Sequence, residues 1–218
     1  MTQERGRGVV PPGEREVVGI PESRVGAPEI NLVADPAPLG LGGFAATTFL
    51  LSLVNAGVLD STAEPVVLPL ALLYGGIAQI FAGLWEFRNN RNTFGATAFT
   101  TYGAFWLTFY FLVTRFAAEI PEDQRAVAIG TYLLAWTVFT FYMWIGSFRL
   151  NGALVAVFTF LLATFAVLTL GEYAGAEGLT RIGGWLGVIT AILAWYTAAA
   201  IIINSTHKRV VLPVWPRA

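Results

Sequence analysis

Few side chains in this sequence could do chemistry, and most of them sit in three short stretches. The first runs Ala34-Asp35-Pro36-Ala37-Pro38 and leads into Gly43-Phe44-Ala45-Ala46-Thr47-Thr48. Aspartate before proline is a good helix start: the carboxylate can accept from free N–H groups, and a proline at the first position has none to lose. Two prolines in three residues imply a rigid, kinked entrance. It reads either as a membrane-surface turn or as a broken segment whose free backbone groups line a substrate vestibule. The second stretch starts at Tyr74-Gly75-Gly76-Ile77-Ala78-Gln79, passes through Glu86 and ends at Asn92-Thr93. Gln79 falls well inside an apolar run, where an unpaired amide is costly, so it must meet a neighbouring helix or water. Glu86 falls near the end of that run and either pairs with Arg88 or Arg91 or faces the vestibule. Asn92-Thr93 has the form of an N-cap whose open N–H groups could attract an anion. The third stretch carries Thr97, Thr100, Thr101 and Tyr102, with Thr97, Thr101 and Thr108 within reach of one face. A threonine hydroxyl can bond the backbone of its own helix, so each alone is weak evidence. Together with Thr47 and Thr48 they could line a narrow, modestly polar path.

The residues that are missing narrow the chemistry further. The chain has no cysteine, which removes disulfides and thiolate metal sites. Its one histidine, His207, and its one lysine, Lys208, stand near the C-terminal end, leaving no imidazole for a membrane-embedded haem or zinc and no lysine for a Schiff base. No charged side chain falls at the centre of any apolar run, whereas proton pumps and cation-coupled carriers usually keep an intramembrane carboxylate. No metal site, nucleophile-and-base pair or cofactor loop is visible, so an enzyme is the weakest reading. Neither a cofactor nor a nucleic-acid partner is expected.

The elements that must hold these residues are membrane helices. Of 218 residues 56% are hydrophobic and 12% charged, against about a quarter charged in a soluble domain, and the mean hydropathy is +0.64. Apolar runs at about 40–59, 65–87, 94–116, 125–148, 150–171 and 182–204 each have the length of roughly 20 residues that a bilayer requires. They are too long for barrel strands of about 10 residues. The fold class is therefore an all-α integral membrane protein, a six-transmembrane-helix bundle over 34–206. Residues 1–33 mix Gly, Pro, Arg and Glu without apolar periodicity and read as a disordered cytoplasmic tail, lacking the apolar core of a cleaved leader. Residues 207–218 read as a short cytoplasmic tail.

With the N-terminus inside, Arg5, Arg7, Arg15, Arg24, Arg88, Arg91, Arg149, Lys208, Arg209 and Arg217 are cytoplasmic, and only Arg115, Arg125 and Arg181 lie outside. The excess of inside cations predicts a multi-pass protein of the cell (plasma or inner) membrane with both termini cytoplasmic. Small residues mark helix contacts in lipid, and Gly183 and Gly187 form a GxxxG pair in the last span.

At the motif residues the sequence closely resembles the acetate uptake transporters, also called succinate/acetate permeases. The matching text is DPAPLGLGGFAATTFLLSLVNAG at 35–57, YGGIAQIFAGLWEF at 74–87, NTFGATAFTTYGAFWL at 92–107 and, more loosely, 148–175. The resemblance implies transport of acetate, and of related carboxylates such as succinate and lactate, as a proton-linked symporter or a channel. It also implies a homohexamer with one path per protomer. By position it implies an aromatic and aliphatic constriction at Phe44, Tyr102 and Leu161. The family motif commonly opens with Asn where this chain has Asp35, which puts a negative charge at the entrance unless it is capped, paired or protonated. A constriction of Phe, Tyr and Leu disfavours a bare carboxylate. Acetic acid resembles a Glu side chain, with a reference pKa of about 4.3, so its neutral form can carry the proton itself. A conduit for ammonia or another small neutral solute, and a membrane sensor that transports nothing, are the competing readings.

Overall fold

The computed structural model describes residues 34–88 and 92–217. The stretch read as a disordered tail lies outside the described residues, as does Arg91.

Among the described residues six helices are long and apolar enough to cross a membrane: α1 (Ala37–Asn55), α2 (Ser61–Glu86), α3 (Thr93–Glu119), α4 (Glu122–Ser147), α5 (Gly152–Ala174) and α6 (Glu177–His207). Polar side chains set several of their ends. Asn92 Oδ1 accepts from Gly95 N at 3.0 Å and Asn151 Oδ1 from Leu154 N at 2.9 Å, capping α3 and α5. Gly175 takes the left-handed conformation that closes α5. At the start of α1, Asp35 Oδ1 accepts from Ala37 N at 2.9 Å, and the helix then runs unbroken to Asn55. The kinked, broken entrance suggested by the two prolines is therefore not present. Pro38 falls in the first turn, where a missing N–H costs nothing.

The second helix is the irregular one. It opens as a 3-10 turn over Ser61–Val66 and widens to a π turn over Leu73–Ala78, which contains the glycine pair of the YGGIAQ motif. These glycines are where two neighbours close in. A Cβ on Gly75 would lie 2.5 Å from Thr47 Oγ1 of α1, and one on Gly76 would lie 2.6 Å from Leu107 Cδ2 of α3.

Backbone contacts are densest between α1 and α6, α2 and α3, and α5 and α6, with α1 also close along α2 and α4 along α5. The approach of α1 to α6 depends on missing side chains. A Cβ on Gly184 would strike the backbone of Ala56, and one on Gly187 would strike Ser52 Oγ. Gly183 instead faces Leu168 of α5. The GxxxG pair thus serves two different neighbours, and Gly184 with Gly187 makes the α1 contact. Among helices consecutive in the chain, α3 and α4 approach least closely in backbone, and rings fill the seam. Phe105 lies 5.1 Å from Trp136 and Tyr102 lies 5.0 Å from Phe139, both edge-on, an arrangement that adds to simple area burial.

Candidate functional site

Two cavities lie between the helices, of about 300 Å³ and about 230 Å³. The larger, the Glu86 chamber, is bounded by the start of α1, the ends of α2 and α6, and the starts of α3 and α5. The smaller, the Glu172 chamber, lies toward the opposite helix ends and also carries Glu64. Phe44 of α1 and Leu161 of α5 line both chambers, so these two buried side chains form the wall between them.

Tyr102 of α3 lines the Glu86 side of that wall. Its ring centroid is 5.6 Å from that of Phe44 and 6.3 Å from that of Phe158. Its hydroxyl is hydrogen-bonded to Thr140 Oγ1 at 2.9 Å, so the polar end of the phenol is tied to α4 and the ring faces the cavity. A side chain held by packing on one side and a hydrogen bond on the other has little freedom to swing.

The unpartnered polar atoms of the Glu86 chamber are acceptors. Glu86 and Gln79 are 2% and 1% exposed, and neither Glu86 Oε1 nor Gln79 Oε1 has a hydrogen-bond partner in the protein. Glu86 Oε2 accepts from Asn92 Nδ2 at 2.9 Å, so Asn92 ties the end of α2 to the start of α3. Buried acceptors without donors are costly and rare in native proteins. Two in one cavity call for a ligand or water that brings an O–H or N–H. In the Glu172 chamber, Thr48 Oγ1 and Trp106 Nε1 are likewise without a partner. Among the described residues no lysine, arginine or histidine lines either chamber, and the charged groups present are Glu86, Glu64 and Glu172. A bare anion would meet carboxyls, hydrocarbon and a few neutral donors such as Trp106 Nε1, but no countercharge.

The sequence-based candidates divide sharply. Phe44, Tyr102, Leu161, Gln79, Glu86 and Asn92 come together around the Glu86 chamber, and Thr48 lines the other. Glu86 is hydrogen-bonded to Asn92, while Arg88 sits over the ring of Trp85. Asp35 is exposed and lines neither chamber, because its carboxylate caps Ala37. Thr47 is buried with its hydroxyl on Gly43 O at 2.9 Å, packed against the π turn. Tyr74 is 38% exposed, and its hydroxyl lies against Gly42. Thr93 is the exposed first residue of α3. Thr97 and Thr101 also fall outside the lining. The cavity stripe of α3 runs Gly95, Ala98, Tyr102, Phe105 and Phe109, and a 3.6-residue turn carries Thr97 and Thr101 onto a neighbouring face.

Sequence reasoning named Leu161 but missed the rest of its α5 stripe, Phe158, Phe165, Leu168 and Glu172, and it missed Glu64 and Thr164. Its regular steps of three and four residues were the signal that could have found it.

The model of the GPR1/FUN34/yaaH family matches residues 20–217. The chain is 41% identical over 182 residues to the succinate-acetate/proton symporter SatP of Escherichia coli (strain K12), covering 84% of this chain and 95% of that one. It is 39% identical over 188 residues to ammonia transport outward protein 2 of Saccharomyces cerevisiae (strain ATCC 204508 / S288c), covering 84% of this chain and 66% of that one. The solved structure of the bacterial acetate channel SatP superposes with a TM-score of 0.78 at 41% identity, covering 84% of this chain and 99% of that chain.

Proposed function

Because the chain belongs to the GPR1/FUN34/yaaH family, we propose that it moves acetate, and related small carboxylates such as succinate and lactate, across the cell membrane. The solute crosses inside each six-helix protomer as the neutral acid. The observation that carries this reading is the pair of chambers meeting at Phe44 and Leu161, with carboxyls and unpartnered acceptors but no cation in their walls. An apolar wall disfavours an ionised carboxylate through desolvation, while a protonated acid offers its O–H to Glu86 Oε1 or Gln79 Oε1. The proton then travels on the substrate, whether the path opens as a carrier or as a channel. Phe44, Tyr102 and Leu161 act as the constriction; Gln79, Glu86, Asn92 and Thr48 are the polar stations beside it.

The arginine bias supports cytoplasmic termini, so the Glu86 chamber faces the cytoplasm and the Glu172 chamber the outside. The apolar sides of α2 and α4, including Phe81, Leu84, Val138 and Phe141, are exposed in the protomer. They supply surface that lipid and the neighbours of a homohexamer would cover.

Transport of ammonia is the second reading. It is favoured by the named activity of the yeast relative and by acceptors that take an N–H as readily as an O–H. Vesicles holding the purified chain separate the two. Labelled acetate uptake above protein-free vesicles is the expected result, and ammonia flux without acetate flux would overturn the carboxylate reading.

A further inference from the structure

We propose that residues 209–217 are a hinged strap that gates the mouth of the Glu86 chamber. This rests on the reading of that chamber as half of a solute path. Helix α6 ends at His207, and Lys208 takes a left-handed conformation, φ 52°, that turns the chain back toward the bundle. Asn204 then clamps the returning backbone: its Oδ1 accepts from Val211 N at 2.7 Å and Leu212 N at 2.9 Å, and its Nδ2 donates to Leu212 O at 2.8 Å. The Tyr196 hydroxyl donates to Pro213 O at 2.7 Å, and its ring stacks on Trp215 with centroids 6.3 Å apart. On the far side the strap meets α5: Gly152 N donates to Trp215 O at 2.8 Å, Ala153 N to Val214 O at 3.2 Å, and Arg217 N to Leu150 O at 3.1 Å. Between the two sets of fastenings Val214 forms part of the chamber wall beside Leu150, Leu154 and Ile201.

Two features make this wall a gate and not a fixed side. The strap is held mainly by separate hydrogen bonds; Val211, Pro213, Trp215, Pro216 and Arg217 are exposed, and Leu212 and Val214 are only partly buried. Segments with few buried apolar contacts and solvent-accessible hydrogen bonds open at low cost. The closed form is also strained at Trp215. Lys208 and Trp215 are the two non-glycine residues with positive φ among the described residues, at 52° and 53°. Such conformations are unfavourable for bulky side chains and persist only where surrounding contacts hold them. Release of the strap relaxes Trp215, whose backbone O is bonded to Gly152 N, and removes Val214 from the mouth.

The sequence offers a direct test, because it has no cysteine. A Cβ on Gly152 would lie 3.2 Å from Trp215 Cβ, close to the roughly 3.5–4.5 Å of a disulfide. The double variant Gly152→Cys/Trp215→Cys is placed in vesicles, and acetate uptake is compared in the same preparation oxidised and reduced. Uptake several-fold slower when oxidised, restored by reductant, and insensitive to oxidant in each single-cysteine variant is the expected result. Equal uptake by fully cross-linked and reduced protein would overturn the gate. Thiol labelling of Val214→Cys by a water-soluble maleimide needs no flux. Steady labelling, faster when Tyr196→Phe removes the bond to Pro213 O, is expected, and complete protection would overturn the hinge. Absence of acetate uptake even in reduced protein would instead overturn the transport reading, with the labelling result still deciding whether the strap opens.

Discussion

Truncation of Leu161 to alanine should change which acids cross more than it changes folding. The side chain is 3% exposed and stands between the two chambers. In a closed core Leu→Ala costs about 2–5 kcal/mol and the cost grows with the void left behind. Here the side chain already borders open cavities of about 300 Å³ and about 230 Å³ on two sides and has fewer packing contacts to lose than a leucine in a closed core, which puts the cost at the low end, about 2 kcal/mol. The selectivity effect follows from size. A pocket discriminates one methylene by about 1–3 kcal/mol, on the order of 10–200-fold, and lactate exceeds acetate by one carbon and a hydroxyl. Removing the wall that rejects that bulk should raise the lactate-to-acetate uptake ratio by about tenfold, which corresponds to about 1.4 kcal/mol. The assay is uptake of both labelled acids, normalised to assembled protein. Tyr102→Ala and Phe44→Ala should shift the ratio in the same direction. An unchanged ratio in all three variants, with only abundance reduced, would show that these are packing residues and that the constriction lies elsewhere.

Three further outcomes are expected. Glu86→Gln keeps an acceptor for Asn92 Nδ2 and a polar group in the chamber, so it should assemble normally and retain the rise of acetate uptake with acidity; loss of that rise would make Glu86 the proton carrier in place of the substrate. Asp35→Asn keeps an oxygen to accept from Ala37 N and removes one negative charge, so acetate uptake near neutral pH should be retained or raised; abolished uptake in assembled protein would make Asp35 a binding group. Gly187→Leu drives a side chain into Ser52 of α1 and should lower the yield of assembled protein sharply, as read by size-exclusion chromatography in detergent, whereas normal assembly would show that α1 and α6 can separate without loss.

The span plan was legible because bilayer thickness imposes a length, and the runs predicted from hydropathy fall within a few residues of α1 to α6 at most ends. Gln79 and Glu86 were legible because polar side chains in such runs must face something polar. The threonines were harder to place. Thr47 bonds Gly43 O and Thr100 bonds Ala96 O, the self-satisfied state open to any helical threonine, so type alone does not separate Thr48, which lines a cavity, from Thr47, which does not. The π turn at Leu73–Ala78 shifts the phase of the helix that carries Gln79 and Glu86, and no regular period reveals it. The strap was read as a tail because its hydrogen bonds to Asn204, Tyr196 and the start of α5 join residues whose nearness depends on the tertiary fold.

Passage of the neutral acid through the Phe44 and Leu161 wall is most directly tested by the pH dependence of acetate uptake into vesicles containing the purified chain, with protein-free vesicles as the baseline. With a reference pKa of about 4.3 for such a carboxyl, the neutral fraction rises about tenfold between pH 7 and pH 6. At fixed, subsaturating total acetate, protein-dependent uptake should rise by about the same factor. Uptake that stays constant across this interval would mean that the carboxylate itself crosses, and would contradict the account.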